Sequence, residues 1–267
     1  MSAVDLRELY LQYGCCMAAV VSELAGDEGI GAAFHVGDGV FVTARHVVEN
    51  RTIKEVCLTD PNLFYRSKLF PKEKDGSYRI DANSPRMCTD DHGGLKITAG
   101  PFFHSDPLID VAVFQVVGMA LNAHFVPLGG HLDDWVGQGD FVLSRALVLG
   151  YPPVPFTLAP VLVAATCNVN AVVDLRAGLG QQLHFILSAT PRGGFSGGVA
   201  FSEYGFALGV ITQSLTQNNA AAELGFFATT SIEAIYVCLQ KSGLLPACQK
   251  QGWDGLWDDP ELDETSE

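Results

Sequence analysis

The stretch Gly193-Gly194-Phe195-Ser196-Gly197-Gly198 constrains this chain more than any other. It sets one hydroxyl among four glycines, between the apolar runs His184-Phe185-Ile186-Leu187 and Val199-Ala200-Phe201. Glycine reaches backbone angles that other residues avoid, and it lets a ligand approach the main chain closely. A turn of this composition presents the Ser196 hydroxyl outward and aims neighbouring N–H groups at the same point. Acyl transfer needs both, a nucleophile and donors for the oxyanion that forms when it attacks. Taken alone, the stretch fits equally well a glycine-rich hairpin with an incidental serine.

The surrounding pattern is that of a β protein. Residues 30–36 and 40–44 alternate as strands and are separated by Gly37-Asp38-Gly39, a hairpin signal. Arg45-His46-Val47-Val48 follows at once, which places His46 at a strand end, where a side chain can reach a cleft. Residues 58–106 hold four prolines and many charges; they predict a loop-rich region with two or three short strands, such as 65–70 and 95–98. Residues 108–116 read as a strand with Asp110 near its start. Turn residues recur over 118–140 and predict a lobe boundary. Further strands are expected at 146–149, 161–166, 168–174, 182–187, 199–201, 207–212 and 225–229, a series that suggests a barrel or a sandwich. Apolar residues at helical spacing predict a short helix within 2–13 and another over 231–242. Leu149-Gly150-Tyr151-Pro152 reads as a plain turn after a strand.

Composition narrows the function classes. The net charge of −14 disfavours nucleic acid and anionic membrane surfaces, both of which call for a basic face. No run approaches the roughly 18 apolar residues of a membrane-spanning helix. The short run 15–21 lacks a basic segment before it and reads as a strand rather than a signal peptide. Seven cysteines, two of them adjacent, match neither a disulfide framework nor a zinc site. A reducing cytoplasm is the compartment expected, with no metal or cofactor.

Val42-Thr43-Ala44-Arg45-His46-Val47-Val48 resembles the Thr-Ala-Ala-His segment of chymotrypsin/trypsin-like serine proteases. Asp110-Val111-Ala112-Val113 resembles their Asp-(Ile/Leu)-Ala-(Leu/Val) strand, and Gly194-Phe195-Ser196-Gly197-Gly198 their Gly-x-Ser-Gly-Gly loop. The three stand in the family's order, and the resemblance runs from about Cys15 to Gln240. In character the chain is nearest the bacterial Deg/HtrA-type and related trypsin-like peptidase domains, although no PDZ-like domain is expected to follow. The resemblance implies an all-β fold of two six-stranded antiparallel barrels with a short N-terminal and a C-terminal helix. Residues 14–118 would form the first barrel, with His46 and Asp110, and 137–230 the second, with Ser196. The helix would run over 231–243 and an acidic tail over 248–267. Trp253, Leu256 and Trp257 in that tail could dock a partner, but packing on the chain's own domain is the expected reading.

The roles follow from chemistry. Ser196 becomes a nucleophile when a base takes its proton, and an imidazole has the intrinsic pKa to be that base. Asp110 would fix the imidazole tautomer. The N–H groups of Gly194 and Ser196 would bind the oxyanion. His35, His92, His104, His124 and His131 lack the Thr-Ala-x-His context, and Asp106-Pro107 reads as a turn. The resemblance assigns substrate contacts to Thr190, Ser214 and Gly225, none of them charged, and pairs Thr212, Gln213 and Ser214 with the substrate backbone. These imply cleavage after an uncharged or apolar residue; Glu223 near the rim keeps a basic preference open. Two departures stand out. Arg45 replaces a small residue and could alter packing behind the histidine. Phe195 replaces the aspartate that pairs with a cut N-terminus in digestive zymogens, so activation of that type is not expected. The main reading is a serine endopeptidase acting on a protein or peptide. The alternatives are a silent peptide-binding module, an acyl hydrolase, and a protease held inactive until a regulatory protein partner binds, for which the loops at 58–106 leave room.

Overall fold

Two antiparallel sheets of six strands dominate the computed structural model, which describes residues 3–59, 95–117, 123–130, 141–157, 159–177, 180–188, 193–216 and 223–250. The first sheet holds β1 (Met17–Leu24), β2 (Asp27–Gly37), β3 (Val40–Thr43), β4 (Thr52–Leu58), β5 (Lys96–Phe103) and β6 (Ala112–Val117), in the order β4-β1-β2-β3-β6-β5. It curls so that its two edge strands approach at one end: Leu95 N–H, just before β5, donates to Val56 O on β4 at 2.8 Å. The second sheet holds β7 (Arg145–Gly150), β8 (Val163–Ala177), β9 (Gly180–Leu187), β10 (Val199–Ser202), β11 (Ala207–Thr216) and β12 (Glu223–Ser231), and closes fully into a barrel. Mostly β, with one closed barrel and one curled half-barrel, this is the two-barrel arrangement that the resemblance implies.

The first sheet is apolar on both faces, and the period of two divides it. Met17, Ala19, Ala32, Phe34, Val40, Val42, Val111 and Val113 face a core shared with the second barrel. Ala18, Val20, Ala33, Phe41, Ala112, Phe114 and Val116 fill the sheet's own interior, where Phe41 and Phe114 stack with centroids 5.7 Å apart. The β2–β3 hairpin turns on Asp38 (φ +52°) and Gly39 (φ +73°), two consecutive left-handed residues that match the strands' twist.

Among the described residues three α-helices punctuate the sheets: α1 (Leu6–Tyr13), α2 (Arg45–Val48) and α3 (Ile232–Lys241). Asp5 caps α1 by accepting from Arg7 N–H at 2.9 Å. Tyr13, at its end, stacks on Phe201 of β10, 4.8 Å between centroids, so the N-terminal helix packs on the second barrel. α3 reaches back to the first sheet: Cys238 Sγ approaches Phe102 O, and Lys241 Nζ donates to Ser105 Oγ at 3.3 Å. Beyond it, Gln249 donates to Val36 O and Val126 O and accepts from Leu128 N–H, all within 3.0 Å.

Three details differ from expectation. His46 sits on α2, a single helical turn, rather than at the end of β3. The strands expected at 161–166 and 168–174 are one 15-residue strand, β8, with a register shift between Val169 and Ala171. The strand expected at 95–98 runs on to Phe103 through Pro101; β5 is an edge strand, where a missing N–H is tolerated. The strand expected at 65–70 and the tail from 251 lie outside the described residues.

Candidate active site

β3 ends at Thr43 and the chain turns at Ala44 into α2, which carries His46. Gly31 on β2 allows that turn to pack so closely: a Cβ there would lie 2.5 Å from Val47 Cγ1. Asp110, two residues before β6, holds the histidine twice. Its Oδ1 accepts from His46 N–H at 2.9 Å, and its Oδ2 lies 2.6 Å from His46 Nδ1. A carboxylate only accepts, so Nδ1 carries the proton and Nε2 keeps its lone pair. The Asp110 side chain is 14% exposed and that of His46 is 50% exposed, a shielded anchor behind an open imidazole. Arg45 N–H also donates to Asp110 O at 3.3 Å.

Arg45 does not disturb the packing behind His46. Its Nε donates to Glu49 Oε1 at 2.8 Å, and its guanidinium lies over the Phe103 ring, 4.9 Å from the centroid. Asp106 makes the expected turn, its Oδ1 accepting from Leu108 N–H at 2.8 Å. His35 and His104 are buried, and burial pushes both below the ordinary imidazole range, His35 to about 4.

The Ser196 loop lies between the two sheets. Toward the first, Ser196 O accepts from Ala32 N–H at 2.8 Å, and a Cβ on Gly197 (φ +83°) would strike Ala32 O and Thr43 Oγ1. Toward the second, Gly197 N–H donates to Ile211 O at 2.7 Å and Ile211 N–H to Gly198 O at 2.8 Å. The loop also lies flat on the end of β7. Tyr151 N–H donates to Gly194 O at 2.9 Å, and a Cβ on Gly194 (φ +91°) would strike Tyr151 O. Gly150 has Phe195 Cα 2.7 Å from where its Cβ would be. The turn read from sequence as plain therefore supports the Ser196 loop; its signal was Gly150, legible only once that turn and the glycine-rich stretch are known to be neighbours.

Gly197, the residue after Ser196, is thus seated against Thr43 and Ala44, the residues that lead into His46. Among the described residues no hydrogen bond within 3.5 Å joins Ser196 Oγ to the imidazole. The N–H groups of Gly194 and Ser196 have no acceptor among the described residues. Thr212 is buried on β11, and its hydroxyl turns toward β12, 3.3 Å from Ala228 O. Gln213, Ser214 and Gly225 are placed as backbone on β11 and β12, and Thr190 lies outside the described residues. Phe195 is buried against Phe227, 5.7 Å between centroids. Both line a cavity of about 450 Å³, together with Pro152, Val154, Val163 and Ala165. Among the described residues no group of three His, Cys, Asp or Glu side chains could hold a metal ion.

The family model for the trypsin-like peptidase domain matches residues 31–210, the span that carries all three motifs. The chain belongs to this family. Solved structures agree on the fold of this trypsin-like peptidase domain. The Rv3671c protease of M. tuberculosis, in its active form, superposes with a TM-score of 0.56 at 14% identity, over 92% of this chain and 91% of that one. The HtrA-type protease AlgW with tripeptide gives 0.54 at 16% identity, over 90% of this chain and 64% of that one, so the chain spans less than two thirds of its length. The serine endoprotease from Yersinia pestis gives 0.53 at 14% identity, covering 94% and 69%. No curated protein matches the sequence.

Proposed function

We propose that this trypsin-like peptidase domain is a serine endopeptidase in which Ser196 attacks, His46 is general base and then general acid, and Asp110 holds the imidazole. The observation that carries the reading is the double hold of Asp110 on His46, through the backbone N–H and through Nδ1, which leaves Nε2 as the basic nitrogen of the neutral ring. Ser196 Oγ would lose its proton to Nε2 as it attacks the scissile carbonyl, and the imidazolium would return it to the leaving amine. The Gly194 and Ser196 N–H groups would take the oxyanion, each worth about 3 kcal/mol in the transition state. Substrate would add an antiparallel strand along Thr212, Gln213 and Ser214, with Thr190 and Gly225 in the pocket. Among the described residues no charged side chain lines the cavity beside Phe195, which supports a preference for an uncharged residue before the cut.

One observation favours a second reading, of a peptidase completed only when a peptide or a regulatory protein binds: Ser196 Oγ makes no hydrogen bond to His46 in this arrangement. Resting catalytic hydrogen bonds are often long and tighten in the substrate complex. The free thiols of Cys15, Cys16, Cys167, Cys238 and Cys248 suit a reducing compartment, and we place the enzyme in the cytoplasm. Profiling against a peptide library tests the specificity. Cleavage after small or apolar residues is expected, lost in Ser196→Ala; dominant cleavage after Arg or Lys would overturn the pocket assignment.

A further inference from the structure

A chain of side-chain hydrogen bonds runs across three strands of the second barrel and ends at the strand assigned to substrate. His184 on β9 places Nδ1 2.9 Å from Gln182 O and Nε2 3.2 Å from Thr230 Oγ1 on β12. Thr230 Oγ1 lies 3.2 Å from Thr212 Oγ1 on β11, and Thr212 Oγ1 lies 3.3 Å from Ala228 O. Both threonines are buried. Thr212 is also the extra residue of a β-bulge: the β11–β12 register shifts between Ile211 and Gln213. A bulge re-aims the residues around it. Here Ile211, on one side, holds Gly197 and Gly198, and Gln213, on the other, continues the segment assigned to substrate.

The chain has two proton orders, and each satisfies every member. Gln182 O only accepts, so neutral His184 carries its proton on Nδ1 and accepts at Nε2. Thr230 then donates to His184, and the Thr212 hydroxyl is divided between Thr230 Oγ1 and Ala228 O. When His184 is protonated, Nε2–H donates to Thr230, Thr230 turns to donate to Thr212, and Thr212 donates to Ala228 O alone. The second order tightens the side-chain bond across the bulge.

We propose that His184, Thr230 and Thr212 form a relay by which proton uptake at His184 reorders the hydroxyls and tightens the β11 bulge, strengthening substrate binding along β11. Its last link rests on the peptidase reading; the relay itself does not. Thr230 and His184 are positioning residues, since neither touches the reacting atoms. Of the strands against His184, β8 brings Asp174, which favours the protonated form, while β12 brings the uncharged Thr230 and Ser231. Burial acts first and in the opposite sense, lowering the imidazole below its ordinary range.

The test is an NMR titration of the full chain between about pH 5 and 8, where histidine titrates. The Thr212 and Gln213 amide shifts should move with the midpoint of the His184 ring protons. In Thr230→Val the ring should still titrate while the amide response disappears, and Thr230→Ser, which keeps the hydroxyl, should restore it. Amides that ignore His184, or that follow it undiminished in Thr230→Val, would overturn the relay. In peptide cleavage, KM should fall about three- to tenfold as the pH drops through that midpoint, the worth of one hydrogen bond, and should stay flat in Thr230→Val. A flat wild-type KM with normal turnover would overturn the last link. Absence of turnover at every pH would instead count against the peptidase reading, with the amide result still deciding the relay.

Discussion

In the proposed mechanism Asp110 is the residue on which the chemistry turns, because it fixes which nitrogen of His46 is basic. An amide at position 110 could turn its NH2 toward Nδ1, which would force the proton onto Nε2 and leave no base facing Ser196. Asp110→Asn should therefore lower kcat by about 10³- to 10⁴-fold with little change in KM, measured on one peptide substrate. A loss confined to KM would mean that Asp110 acts in binding. The catalytic candidates were legible in the sequence because each lies in a local pattern whose chemistry is restrictive. The hydroxyl network at Thr212 was not. His184, Thr230 and Thr212 are separated in sequence, and only strand pairing makes them neighbours.

At the scale of elements, α2 is held by close approach rather than by propensity. It is four residues long and contains two valines, a poor helix by sequence, and it packs over Gly31 because that position has no side chain. Gly31→Ala would push on Val47, the neighbour of His46. We expect a fall in kcat/KM of about 10²-fold in a protein that still unfolds cooperatively, the cost of a displacement of about 1 Å in a reacting group. Wild-type turnover in that variant would show that α2 shifts freely. The same contrast explains what could be read in advance. The β2–β3 hairpin combines period-two alternation with Asp38-Gly39, so sequence and structure coincide. A single-turn helix has no period to show, and β8 runs unbroken through Cys167, where the sequence reading ends one strand, with its register shift at Asn170 inside the second expected strand.

For the whole molecule, the two barrels are held by elements that cross between them. α1 precedes the first sheet and packs on the second, α3 and Gln249 follow the second and bind the first, and Tyr151 at the end of β7 donates to Met17 O on β1 at 3.1 Å. His35 lies within the first sheet, accepting from Gly39 N–H at Nε2 and donating from Nδ1 to His124 O at 2.7 Å. Burial lowers its pKa from 6.5 to about 4. Between those values the unfolded chain binds the proton that the folded chain refuses, so the stability is complete above about pH 6.5 and falls as the pH drops toward 4. The loss from His35 is about 3 kcal/mol. Buried His104 and half-buried His124 and His184, also lowered by burial, act in the same sense. Urea unfolding should show this decline, and His35→Gln should be less stable at neutral pH but lose less on acidification. An unchanged slope in that variant would remove His35 from the account.

Activation of Ser196 as a nucleophile is read out by labelling with a fluorophosphonate probe, which reacts covalently with an activated serine hydroxyl. The folded wild type should be labelled, and labelling should vanish in both Ser196→Ala and His46→Ala. Labelling that survives in Ser196→Ala, or a folded wild type that stays unlabelled even with a bound peptide, would contradict it.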